Sequence, residues 1–377
     1  MAWFLLLRFL PARPAKPAIE TTITSDHLQL ATKIKKIDNA FTIESFKGQY
    51  FDNPFDIQGE INLEKNTDPT LNLKTQLTVD LQDLSLIVPN LAKQLDNIKP
   101  TGTVELAGVF LGKVKDWRNW QLDLSAQSPQ ITLKGYKLQN LSLHCEQRDQ
   151  FIRSFHLTTN VYDGSFDLNS SVNLANEDLL FQLNAQLTNT DLAKLKLDTP
   201  LKNKGIDGLV NASVSLSGPL QGLDRWKGNG AVSVQGHLWE FNLLQGIWKI
   251  LLIPEFQDIV FTETKANFNM NNGRIYTDDL ELKSTNVSLL GKGWIDLDKN
   301  LNFDISPQFS EAAIIQSPYL RKGPTAILTQ GGYLSIKLSG SLDNPKFALN
   351  TSPRKILEKA TGTILEGMQG ILEDILQ

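Results

Sequence analysis

Leu71-Asn72-Leu73-Lys74-Thr75-Gln76-Leu77-Thr78-Val79-Asp80-Leu81 alternates apolar and polar residues, with Thr75 the one polar residue in the apolar register. A period of two puts successive side chains on opposite faces of a strand, one face apolar and the other wet. Phe181-Gln182-Leu183-Asn184-Ala185-Gln186-Leu187 repeats the pattern, and most of the chain between and beyond these stretches does the same. Asn, Thr, Ser, Asp, Gln and Lys fill the wet face. Turn signals separate the strands at Asp163-Gly164, Asn176-Glu177-Asp178, Asn272-Gly273 and Asp298-Lys299-Asn300. Short turns between alternating strands make hairpins, and consecutive hairpins make an antiparallel meander. The fold class that follows is mainly β.

Helical signals are few. Residues 89–99 and 190–197 each suit one or two turns, closed near Pro100 and Pro200. In residues 240–253, Phe241, Leu244, Ile247, Trp248, Leu251 and Leu252 cluster on one side at a helical period, and Pro254 ends the run. Residues 353–377 open on Pro353 and carry a continuous apolar stripe from Ile356 to Leu376. Gly362, Gly367 and Gly370 weaken that amphipathic helix by roughly 1 kcal/mol each relative to Ala. It therefore needs a surface to lie on: the end of the sheet, a partner or a membrane.

Two unrelated motifs recur at nearly matching offsets. Val104-Glu105-Leu106-Ala107-Gly108, Val214-Ser215-Leu216-Ser217-Gly218 and Ile336-Lys337-Leu338-Ser339-Gly340 end on glycines 110 and 122 residues apart. Gly59-Glu60-Ile61-Asn62-Leu63, Ser170-Ser171-Val172-Asn173-Leu174 and Gly293-Trp294-Ile295-Asp296-Leu297 step by 111 and 123. One module used three times suggests a chain that grows along one axis. The organisation expected is an apolar, Pro-rich tail at 1–18, β modules at 19–100, 101–206 and 207–350, and the amphipathic helix at 351–377.

The chain has 377 residues, 41% hydrophobic and 21% charged, which excludes a disordered protein. A net charge of −4 without a long basic run argues against nucleic acid as a partner. A single cysteine, Cys145, rules out an internal disulfide. The stretch Met1-Ala2-Trp3-Phe4-Leu5-Leu6-Leu7-Arg8-Phe9-Leu10 spans about 15 Å as a helix, half a hydrocarbon core. It is interrupted by Arg8 and followed by Pro11, Pro14 and Pro17. It suits the remnant of a membrane anchor, a start inside a longer protein, or a disordered tail.

No catalytic pattern stands out, and no cofactor is expected. His27, His144, His156 and His237 are scattered along the chain, and neighbours His144 and Cys145 would point to opposite faces of a strand. Asp296-Leu297-Asp298-Lys299-Asn300 imitates a calcium loop, but Leu301 and Pro307 stand where Gly and Glu are needed, so a hairpin turn is the reading. Gly291-Lys292-Gly293 lacks the third glycine of a dinucleotide loop and suits small residues in a strand. Asp278-Asp279 is a lone acidic pair in a turn region, with no acid–base partner in view. Among the tryptophans, Trp117 and Trp226 recur in equivalent places, which favours packing at module joins over lipid contact.

A sheet with one apolar face must bury it, and the helices are too few to cover so many strands. A long sandwich, a β-solenoid, or a sheet curled about its long axis with its apolar face inside remain. Strands of ~8–10 residues are ~27–34 Å long, enough to curl around a lipid tail.

Residues 236–350 resemble the C-terminal region of AsmA-like proteins. The resemblance is carried by the helical segment 243–254 and by Phe261-Thr262-Glu263-Thr264-Lys265-Ala266-Asn267-Phe268-Asn269-Met270-Asn271-Asn272-Gly273. It continues in Asp279-Leu280-Glu281-Leu282-Lys283-Ser284, Leu289-Leu290-Gly291-Lys292-Gly293-Trp294-Ile295-Asp296-Leu297 and Leu338-Ser339-Gly340-Ser341-Leu342-Asp343-Asn344-Pro345-Lys346-Phe347. It implies an envelope protein of diderm bacteria, anchored in the inner membrane and reaching across the periplasm. It also implies a hydrophobic β-groove that carries phospholipid, akin to bridge-like lipid-transfer proteins.

The expected architecture is thus an elongated, curled antiparallel β-sheet, with short helices at the joins. The expected function is non-enzymatic: binding or conducting phospholipid between inner and outer membrane, in support of outer-membrane biogenesis. The expected lining is Phe55, Ile57, Ile61, Leu63, Leu71 and Leu73 in the first module. Phe166, Leu168, Val172, Leu174, Phe181 and Leu183 continue it, and Leu289, Ile295, Leu297, Leu301, Phe303 and Ile305 line the third. Acyl chains are the expected ligand, at about 0.8 kcal/mol per buried methylene. The helix 353–377 is the expected contact with membrane or membrane protein. The alternative is a periplasmic scaffold for outer-membrane protein assembly, in which the same strands close on one another and carry no lipid.

Overall fold

The computed structural model describes residues 18–25, 27–63, 68–87, 92–238, 259–322 and 335–349. The tail at 1–17 and the helices expected at 240–253 and 353–377 lie outside them. The chain divides into two compact units at Thr190/Asp191, with Ser217–Gln221 belonging to the first.

The first unit is an antiparallel meander in which each strand pairs with the next. Its strands are β1 (Ala18–Ser25), β2 (Leu28–Ile37), β3 (Ala40–Tyr50), β4 (Asn53–Asn62), β5 (Thr70–Asp80), β6 (Thr101–Lys113), β7 (Gln121–Leu133), β8 (Tyr136–Arg148), β9 (Phe151–Val161), β10 (Gly164–Asn173) and β11 (Leu180–Asp191). The alternation in residues 71–81 is β5. β12 (Leu209–Pro219) straddles the division. The second unit continues with β13 (Lys227–Leu238), β14 (Phe261–Asn271), β15 (Arg274–Lys283), β16 (Val287–Asp296), β17 (Asn300–Phe309), β18 (Ile336–Ser341) and β19 (Asn344–Leu349), again paired in sequence order. The fold is mainly β and antiparallel, and it is not closed into a barrel.

The turns carry the connections the sequence calls for. Asn272 and Gly273 have φ of 50° and 69°, and Tyr162 and Asp163 have 46° and 65°. Positive φ at both central residues is the hairpin turn whose twist matches that of the flanking strands. Asp296 accepts from the backbone N–H groups of Asp298 and Asn300, which makes the would-be calcium loop a hairpin turn. Gly291 and Gly293 lie inside β16.

Short helices fall where Pro and capping residues place them. Leu84–Ile87 and Ala92–Ile98 separate β5 from β6. Leu192–Leu195 follows β11, its first N–H groups capped by the Asp191 side chain. In the second unit Glu311–Gln316 starts on a Ser310 cap, and Pro318–Lys322 follows it. Ala313 and Leu320 from these two helices close over Phe261, Val287, Leu289, Leu301, Ile305, Ile336 and Leu338 of the sheet.

In the first unit the packed core lies in β2–β6. Leu30, Ile34, Phe41, Ile43, Phe46, Phe55, Ile57, Ile61, Leu71, Leu73 and Phe110 form one buried cluster. Its strands approach closely at Gly59, where φ is +136° and an added Cβ would sit 2.0 Å from the Asn72 carbonyl oxygen. A register shift between Ile43 and Phe46 adds local twist.

Candidate functional site

Directly opposed residues of an antiparallel pair share a face, so the register traces the apolar face of the first unit strand by strand. One row runs Leu30, Gly48, Phe55, Leu77, Leu106, Ala126, Leu143, Leu157, Leu168, Ala185, from β2 to β11. A second runs Phe46, Ile57, Thr75, Gly108, Leu124, Cys145, Phe155, Ser170, Leu183. Leu73, Phe110 and Leu122 belong to a third, which ends in the pair Val172 and Phe181. The same face is therefore apolar through ten strands.

Its exposure is not uniform. In β2–β5 it is closed: Ile57, Ile61, Leu71 and Leu73 are 0–2% exposed and pack on one another. In β7–β11 it opens: Leu122, Leu124, Leu143, Phe155, Leu157, Phe166, Leu168, Val172, Leu183 and Leu187 are all partly exposed. Among the described residues of these strands the buried apolar residues are Ala126, Ile131, Leu141, Cys145 and Phe181, with Leu174 just past β10. From Leu106 in β6 to Ala185 in β11 the row crosses five strand spacings, ~24 Å at ~4.8 Å each.

Four polar side chains on this face are partnered within the protein, whereas the Oγ1 of Thr32, which continues the second row into β2 opposite Phe46, is buried without a partner. Thr159 Oγ1 donates to the Gln139 carbonyl at 2.9 Å, Ser170 Oγ to Gln182 at 2.9 Å, Ser128 Oγ to Thr103 at 2.6 Å and Gln147 Nε2 to Trp117 at 2.7 Å. What the face offers a ligand is non-directional apolar contact, which suits a methylene chain and not a polar molecule. Burial pushes the Cys145 thiol above its ordinary value, and the Asp123 charge adds to the effect.

The expected lining residues divide three ways. Phe55, Ile57, Ile61, Leu71 and Leu73 sit in the closed cluster. Phe166, Leu168, Val172 and Leu183 are on the partly exposed stretch, with Leu174 and Phe181 buried at its end. In the second unit Leu289, Leu301 and Ile305 are core beneath the helices, with Ile295 and Phe303 packed against them. Leu63 and Leu297 are exposed, each one residue past the end of its strand, β4 and β16.

The opposite face is polar and holds a pairing that the sequence hides. His144 and His156 are direct cross-strand partners. His144 Nδ1 lies 3.7 Å from Asp123 and His156 Nε2 lies 2.9 Å from Asp167. The pairing depends on the register shift between Glu146 and Gln147, which spacing along the chain does not reveal. Among the described residues no group of three or more His, Cys, Asp or Glu can hold a metal ion. Asp279, expected in a turn, lies in β15 and accepts from the backbone N–H and side-chain amide of Asn267, which hold its carboxyl below the usual range. Trp117, expected to pack at a join, is exposed, with the Arg118 guanidinium 5.5 Å from its ring centroid. Trp120 instead packs edge-on against Phe110, centroids 4.5 Å apart.

No family model, no curated protein and no solved structure matches the chain.

Proposed function

We propose that this is a non-enzymatic lipid-binding protein, whose partly exposed apolar face over β7–β11 holds phospholipid acyl chains. The observation that carries the reading is the register-continuous apolar face, closed over β2–β5 and partly exposed over β7–β11, where Thr159 and Ser170 are hydrogen-bonded within the sheet. Placing the protein in the envelope of a diderm bacterium, between inner and outer membrane and in support of outer-membrane biogenesis, rests on the AsmA-like motifs in residues 236–350 alone. The test is native mass spectrometry and organic extraction of the protein purified in mild detergent and then freed of it. Stoichiometric phospholipid, lost in a folded Leu168→Asp, Leu183→Asp variant, is the expected result. A folded, lipid-free wild type would reject the reading.

A periplasmic scaffold without lipid is the second reading. The closed cluster of β2–β6 favours it, because those strands bury their apolar residues as an ordinary core does. It expects a stable complex with a partner protein that is lost on deletion of residues 353–377.

A further inference from the structure

The exposed large apolar residues of the first unit are unevenly placed. Among the described residues there are nine: Ile37, Leu63, Leu86, Val109, Trp117, Tyr136, Phe151, Leu180 and Leu220. The register puts six of them at one edge of the meander. Ile37 closes β2, Leu63 follows β4, Trp117 lies between β6 and β7, Phe151 opens β9 opposite Arg148, and Leu180 opens β11 opposite Asn173. Leu220 joins the same edge through its N–H, which donates to the Leu179 carbonyl. Thus every hairpin tip on this edge carries one apolar side chain, between 36% and 60% exposed. Single exposed apolar residues are normal on a protein surface, but one at every successive tip of one edge is an arrangement.

The tips are also stitched together. The Leu63 N–H donates to Asn39, that of Val114 to Pro69, and that of Leu174 to Gln150. The Gln147 amide holds Trp117 by its carbonyl. Successive tips are two strands apart, ~10 Å along the sheet. Lys113 and Lys115 are exposed beside Trp117, and Arg118 lies over its ring.

We infer that this edge of the first unit docks on a phospholipid bilayer surface, with the tip residues inserted at the headgroup level. A protein partner needs a contiguous desolvated centre, which a line of single side chains separated by polar residues does not provide. A bilayer interface accepts separate wedges, and Trp with neighbouring Lys and Arg is the composition that sits at headgroup depth. The inference deepens the lipid-binding reading, since the same strands end on this edge and carry the open apolar face, but it stands on its own residues.

The experiment is co-sedimentation of the full chain with extruded vesicles of phosphatidylcholine, with and without phosphatidylglycerol. Trp117→Ser, Phe151→Ser, Leu180→Ser together should weaken partition at least tenfold on both vesicles, and Trp117→Ser and Phe151→Ser singly about threefold each. Lys113→Gln, Lys115→Gln should weaken it only on the anionic vesicles. The face variant Leu168→Asp, Leu183→Asp should keep vesicle binding while losing co-purified lipid, so failure of either idea shows separately. Wild type that does not sediment with vesicles, or a folded triple variant within twofold of wild type, overturns the inference. So does a wild-type dimer that the triple variant converts to monomer with vesicle binding unchanged, which would assign the edge to a second copy of this chain.

Discussion

Leu73→Ala and Leu183→Ala remove the same atoms from the same face, yet they should differ in cost. Leu73 is 0% exposed and packed in the β2–β6 cluster. Truncating it loses roughly 2.4 kcal/mol of transfer free energy, three carbons at ~0.8 each, plus a cavity term that brings such changes to about 2–5 kcal/mol. Leu183 is only partly buried and opens toward solvent, so truncation leaves no sealed cavity. Only part of the transfer term is lost, about 1 kcal/mol. The gap of at least 1 kcal/mol is a factor of five or more in local opening. Native-state hydrogen exchange suits a chain of two compact units, where a single unfolding free energy is not defined. Amides of β4–β6 in Leu73→Ala should lose far more protection than those of β10–β11 in Leu183→Ala. Equal losses would mean that the face over β10–β11 is sealed core, and the lipid-binding argument would fall with it.

Two further outcomes follow from perturbed groups. The amide donors of Asn267 hold the Asp279 carboxyl below its ordinary value of 3.8, so its clip between β14 and β15 is fully present above that pH and is lost as pH falls through the lower folded value. Exchange protection at the Asn267 amide, corrected for intrinsic rate, should therefore drop in wild type only as pH falls below 3.8 and be flat in Asp279→Asn; equal behaviour of the two proteins would refute the assignment. Cys145, with its thiol pushed up by burial on the apolar face, should be alkylated at least tenfold more slowly at pH 8 than a free thiol. Phospholipid loading should slow it further, and an unchanged rate on loading would place the lipid elsewhere.

Much of the fold was legible because a strand writes its two faces into every second residue. The Leu71–Leu81 alternation became β5, and both short helices beside Pro100 and Pro200 stand where capping and proline put them. The candidate face was legible too, since Leu168, Val172 and Leu183 share it by parity alone. Less local features were not. Leu63 and Leu297 continue the apolar register on paper, but each lies one residue past the last residue of its strand and is exposed. His144 and His156 are twelve positions apart in sequence and adjacent across β8 and β9, a juxtaposition set by the tight turn at Asp149-Gln150 together with the register shift between Glu146 and Gln147.

By itself the sequence determined that the protein is an antiparallel meander with one apolar face, and which side chains lie on that face. Parity is local, and hydrogen-bonded ladders carry it from strand to strand except where a bulge shifts the register, as between Ile43 and Phe46. Only the tertiary structure decided where that face closes and where it stays open. Leu73 and Leu183 occupy the same face in the same alternating pattern, but one is sealed among side chains of β2–β6 and the other is not. That difference comes from which side chains pack on one another, as Leu30, Phe46, Phe55, Ile57, Leu73 and Phe110 do in the first cluster. Those are long-range packing contacts, and no period in the sequence encodes them.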